Sequence, residues 1–178
     1  MAKKGLSYSA FSHYHYENGI TTYTDGRKLS PAAAFNAGIA AADVIDYGDD
    51  HDVEVYDAVT GGNLTVELNN DNDEMYTYLL GAKMDGESVV SNTRDEHPYL
   101  GAAVIGPSGD KYVAKVYKKC RFSEPADDNA TRTDTITFGH LSIPGRILIP
   151  EDGEWRIRQS FETLEAAIAW VVELFDIR

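Results

Sequence analysis

The stretch Asn63 to Leu68 (NLTVEL) alternates without a break, with Leu64, Val66 and Leu68 on one side and Thr65 and Glu67 on the other. A period of two belongs to a strand with one face in a core and one in water, and a helix cannot bury it. Lys111 to Phe122 repeats the pattern at twice the length: Tyr112, Ala114, Val116, Cys120 and Phe122 oppose Lys115, Lys119 and Arg121. These two segments commit the chain to sheet.

The neighbouring segments extend the sheet. Tyr99 to Ile105 (YLGAAVI) reads as a buried strand, joined through a turn at Gly106-Pro107-Ser108-Gly109 to the strand at Lys111. Leu6 to Tyr16 is rich in aromatics and meets Asn18-Gly19, a strong hairpin signal, so Ile20 to Thr24 should return antiparallel before a second turn at Asp25-Gly26. Ala32 to Ala42 suits a strand better than a helix, because Asn36 and Gly38 penalise helix and the flanks are strands. Thr131 to Ile143 reads as a threonine-heavy strand broken at Pro144-Gly145, with Arg146 to Ile149 continuing it. Glu151-Asp152-Gly153 then turns the chain into Trp155 to Phe161.

Two short helices complete the count. Asn70-Asp71 supplies an N-cap for a stripe of Met75, Tyr76, Leu79 and Leu80, stopped by Gly81. Thr163 caps a helix over about 163–175 whose Leu164, Ile168, Val171 and Phe175 recur at helical spacing. With 178 residues, 43% of them hydrophobic, the chain suits one domain spanning 1–178. The expected fold is mainly β, a β-sandwich or strongly twisted antiparallel sheet with one or two short helices.

Asp43 to Gly62 (DVIDYGDDHDVEVYDAVTGG) packs seven Asp or Glu residues around two tyrosines, which predicts a long exposed loop over about 43–60. Acid dominates the whole chain: 29 Asp and Glu against 16 Lys and Arg leave a formal charge of -13, which repels nucleic-acid backbones and anionic membranes and also serves ordinary solubility. A single cysteine, Cys120, excludes an internal disulfide and reads as a small core residue. No basic start followed by an apolar run marks a secretion signal, and the apolar run Ala166 to Val172 is far short of a membrane span.

Candidate chemistry is sparse. His13 and His15, two apart on a strand, could share a zinc ion with His51, His97 or His140, but cysteines and tight local spacing are lacking. Asp46, Asp49, Asp50 and Asp52, or the run Asn69 to Glu74, could offer oxygens to calcium, yet neither matches a calcium-binding helix-loop-helix spacing. No nucleophile elbow, phosphate-cradling glycine loop or H-E-x-x-H occurs, so no enzyme activity, cofactor or metal is expected.

The order of segments resembles the major tail proteins of long-tailed siphophages. The likeness runs through Tyr8-Ser-Ala10, the hairpin from Asn18-Gly19 to Tyr23, Lys28-Leu29, the acidic stretch Val44 to Asp50, and Gly61-Gly62 feeding Asn63 to Leu68. It continues through the helix ending at Leu79-Leu80-Gly81, the hairpin Tyr99 to Phe122, and the threonine-rich Thr131 to Phe138 after Asp127-Asp-Asn129. It rests on order and texture over nearly the whole chain.

The resemblance implies a tail tube subunit that forms hexameric rings, each copy adding strands to a shared inner barrel, with rings stacked into a hollow conduit for viral DNA. It implies a virion location after assembly in the host cytoplasm. The partners it implies are further copies of the chain, a tape-measure protein and tail-end proteins, with DNA as cargo that does not stick and no membrane. By the same resemblance the acidic stretch makes ring-to-ring contact, with Asp43, Asp46, Tyr47, Asp49, Asp50, His51, Asp52 and Tyr56 as its candidate interface residues. Alternatives are a baseplate or tail-end assembly protein, a secretion-system tube subunit, or a stand-alone binding module using Tyr8, Phe11, Tyr14 and Tyr16.

Overall fold

The computed structural model describes residues 5–29, 31–48, 51–69, 71–126 and 140–178, and for 43–48 and 51–57 it gives strand and register only. Ten strands and two helices follow in chain order: β1 (Tyr8–Glu17), β2 (Ile20–Arg27), β3 (Ala32–Gly48), β4 (His51–Leu68), α1 (Asp73–Leu80), β5 (Lys83–Asp85), β6 (Ser88–Val90), β7 (Leu100–Ser108), β8 (Lys111–Phe122), β9 (Leu141–Ile147), β10 (Arg156–Phe161) and α2 (Leu164–Leu174). The fold is mainly β and antiparallel with two short helices, as the alternating segments require.

One sheet carries the molecule in the order β2-β1-β7-β8-β9-β4-β3, while β5 and β6 form a small hairpin of their own. The sheet forks at β8. Tyr112 to Tyr117 pair with β10, and Cys120 to Phe122 pair with β9, so one edge of β8 changes partner part-way along. The fork coincides with a bulge, where Leu100 pairs with Cys120 but Ala102 with Tyr117. An extra residue in one strand turns its later side chains to the opposite face. Ala114 and Val116 accordingly lie in a core under α2 with Ala167, Val171 and Phe175. Tyr117, Cys120 and Phe122 lie in the other core, with Phe11, Val66, Ile143 and the α1 residues Met75, Tyr78 and Leu79. The single even-numbered apolar face expected for β8 is therefore corrected to two half-faces serving two cores.

The sheet also curls. Phe35 of β3 stacks on Tyr117 of β8 with ring centroids 5.8 Å apart, although β4 and β9 lie between the two strands in sheet order. Neighbouring strands in a flat sheet sit about 4.8 Å apart, so three steps would hold these rings about two and a half times as far away.

Lys118, beside the fork, is buried. Its ammonium donates to Asp152 Oδ2 at 2.5 Å and Glu154 Oε2 at 3.0 Å, which ties the turn before β10 to β8. Burial works to lower the Lys118 pKa, and the hydrogen bonds from Asp152 and Glu154 outweigh it and hold the group above its ordinary value.

Several expectations change in the folded chain. Asp43 to Thr60 is not a loop: β3 and β4 pair from Ala32↔Leu68 out to Gly48↔His51. Val44, Ile45, Tyr47, Val53, Val55, Tyr56 and Val59 are strand formers spaced among the acids, and they decide the backbone. Asp25-Gly26 is not a turn but lies within β2, where Asp25 takes φ 53° opposite a shift of register between Phe11 and His13. Gly106 to Ser108 belongs to β7, leaving Gly109-Asp110 as the turn. Pro144-Gly145 does not break its strand. Both sit in β9, where Pro144 pairs with Thr65 and Gly145 with Leu64, and a side chain at 145 would press on the Phe122 ring.

Asn72, rather than Asn70-Asp71, caps α1, its side chain accepting from the Met75 N–H at 2.8 Å. Gly81 closes that helix in the left-handed region, and Thr163 caps α2 as its sequence indicates. The threonine-heavy segment up to Gly139 lies outside the described residues.

Candidate assembly surface

The β3–β4 hairpin outgrows the sheet that supports it. β9 pairs with β4 only from Gly62↔Ile147 to Leu68↔Leu141. Beyond that, Ala41 to Gly48 and His51 to Thr60 have only each other as partners among the described residues. Eight residues of strand reach about 25 Å. The root of this arm is a bulge: Ala40 pairs with Gly61 and Ala41 with Val59, leaving Thr60 extra, its hydroxyl donating to the Ala40 carbonyl at 3.3 Å. Gly61 stands at φ 136°, and a Cβ there would come 2.7 Å from the Ile147 carbonyl oxygen, so glycine is required where the arm leaves the sheet.

At the root, alternation between buried and exposed positions ceases. Gly38, Ile39, Ala40, Ala41 and Ala42 are all exposed, on both faces of the strand. Ile39 shows 39% of its surface and belongs to neither core among the described residues. β3 is also the end strand of the sheet, so no described strand satisfies its outer row of N–H and C=O groups. The opposite end is treated differently: Ile177, past α2, bridges to Gly26 of β2 and covers part of that edge.

The expected interface residues fall on this arm. Asp43, Asp46 and Tyr47 lie in β3, and His51, Asp52 and Tyr56 in β4. Register sets Asp43 opposite Asp57, Val44 opposite Tyr56, Asp46 opposite Glu54, Tyr47 opposite Asp52 and Gly48 opposite His51. Asp49 and Asp50 lie outside the described residues. Two carboxylate residues facing one another at two registers oppose pairing in an isolated ribbon.

The histidines do not converge among the described residues. His13 stacks on the Tyr78 ring at 4.6 Å, His15 Nε2 meets Thr24 Oγ1 at 2.7 Å, and His97 Nδ1 meets the Phe122 carbonyl at 2.7 Å. Cys120 is fully buried, and burial pushes its thiol pKa up, away from the reactive thiolate. The aromatic first strand is mostly inward: Tyr8, Phe11 and Tyr14 are buried.

Sequence reasoning missed two parts of this surface, the bulge at Thr60 and the open outer edge of β3. Gly61-Gly62 carried a signal for the first, because paired glycines inside a strand pattern mark a bulge or close approach. The second depends on which strands pair, which is not a local property.

No protein-family model matches the chain, and no curated protein matches it. Among solved structures, the chain is similar to the anti-feeding prophage cap, described as a tube terminating cap, at 8% sequence identity and a TM-score of 0.41. The likeness covers 90% of this chain and 95% of the other. That TM-score falls below the level of a shared fold.

Proposed function

We propose that the chain is a structural subunit of a phage-type tail tube, forming rings that stack into a hollow conduit. The observation that carries this reading is the arm beyond Ala40 and Gly61, a two-stranded ribbon joined to an end strand that has no outer neighbour among the described residues. A ribbon of two strands is at best marginally stable in water. An open sheet edge is in addition a template for pairing with another chain. Both features find partners at once if copies of the chain close into a ring and the ribbon reaches the next ring. Hexameric rings, a tape-measure partner and a virion location belong to this reading through the resemblance in segment order.

The charge of -13 suits such a conduit, since carboxylates along a lumen repel phosphates and let DNA slide. Negative-stain microscopy of the concentrated protein tests the reading. Long tubes are expected, and removal of residues 43–57 should give folded monomers that do not polymerise. Closed rings alone would indicate a tail-end piece, and strictly monomeric protein in every buffer, even with the other virion components, would sink the proposal.

A further inference from the structure

The arm needs a receptor, and one groove matches it in charge. Between β3 and the β7–β8–β10 face lies a groove of about 550 Å³ lined by Phe35, Val104, Val113 and Tyr117, with Lys115 and Arg158 among its walls. Lys115 and Arg158 are direct register partners, so β8 and β10 set two cations opposite each other. Like charges directly opposite are unfavourable in a sheet. Among the described residues neither cation has an ion-pair partner, although the chain holds 29 carboxylate residues against 16 basic ones. Arg121 and Arg146 form a second such register pair, but only Lys115 and Arg158 share the wall of this groove, where an anionic group from elsewhere can meet both.

The segment Asp43 to Asp57 carries seven Asp or Glu residues and no Lys or Arg, with Val, Ile and Tyr between them. Its carboxylates complement a groove whose wall carries Lys115 and Arg158 among polar neighbours such as Asn36 and Ser108. The chain's own arm cannot enter. Ala37 lines the groove, and Asp43 lies six residues further along the same strand, about 20 Å away at the rise of an extended chain.

We infer that this groove receives the acidic ribbon of a second copy, with Lys115 and Arg158 pairing with its carboxylates. The contact joins two different surfaces of identical chains, so it propagates instead of closing on itself. This inference rests on the proposed role of the arm in assembly.

The test reverses the charges one side at a time and measures the concentration at which full-length protein polymerises, by sedimentation and light scattering. Lys115→Glu with Arg158→Glu should leave the thermal midpoint in place and raise that concentration at least about tenfold, as expected for loss of close charge pairs. Asp46→Lys with Glu54→Lys should do the same, and combining the four changes should restore assembly. If the double glutamate chain does not fold, the milder Lys115→Gln with Arg158→Gln should give a smaller change in the same direction. Unchanged assembly in the folded groove variants, while removal of 43–57 abolishes it, overturns the groove and leaves the arm's role standing. Unchanged assembly after removal of 43–57 overturns both.

Discussion

Gly101 shows how closely the two ends of the chain approach the middle of the sheet. A Cβ at this position would sit 2.5 Å from Tyr23 Cε1 and 3.1 Å from the Phe175 ring. The Tyr23 hydroxyl donates to the Lys118 carbonyl at 3.0 Å, which holds its ring in place. Gly101→Ala should therefore cost about 1–3 kcal/mol, the range for overpacking a filled core, measured by urea unfolding. Unchanged stability would mean that Tyr23 moves aside freely.

Titration adds a second residue-level expectation. Glu151 accepts from Lys119 Nζ at 2.7 Å and from the Tyr14 hydroxyl at 2.8 Å, and these bonds, Lys119 foremost, lower its pKa to about 2. A carboxylate depressed on folding stabilises above its unfolded pKa of about 4.3, and that contribution disappears as pH falls toward 2. Tyr14 is raised to about 12, by burial first and by its bond to Glu151. A phenol raised on folding stabilises fully below its unfolded pKa of about 10, and the contribution fades as pH climbs toward 12. Urea midpoints should form a plateau between these limbs, and Glu151→Gln should flatten the acid one. An acid limb of the same steepness in that variant would count against the assignment. Of these contacts only the types of residue were legible in the sequence, because Tyr14 and Glu151 are 137 positions apart.

At the scale of elements, legibility followed locality. Asn18-Gly19, the run Asn63 to Leu68, Thr163 as a cap and Gly81 as a stop are decided by neighbouring residues, and each stands where its pattern puts it. Elements fixed by distant partners were harder to read. Asp25-Gly26 has the composition of a turn, yet the Tyr78 hydroxyl of α1 donates to the Asp25 carbonyl at 2.6 Å, and the pair becomes a bulge inside β2. The arm was misread for a related reason: a run of carboxylates reports contact with solvent but not backbone conformation, and both loops and projecting ribbons are wet. The position of the candidate surface along the chain was legible. Its shape was not.

At the scale of the molecule, the division into two cores on opposite faces of one sheet was invisible in the sequence, because it turns on the bulge between Tyr117 and Cys120. Each core has a natural reporter, since Trp155 packs against the core under α1 and Trp170 against the core under α2. Single-tryptophan chains made by Trp155→Phe or Trp170→Phe, kept below the assembly concentration, should lose fluorescence at the same urea midpoint. Separated midpoints would show that one core outlives the other. The expectation follows from β8 contributing side chains to both cores and backbone bonds to β7, β9 and β10. Tension applied to the arm in a long filament would pass through β4 and β9 to that one strand, so the subunit should bear load as a single body and yield, if at all, at the glycine where the ribbon begins.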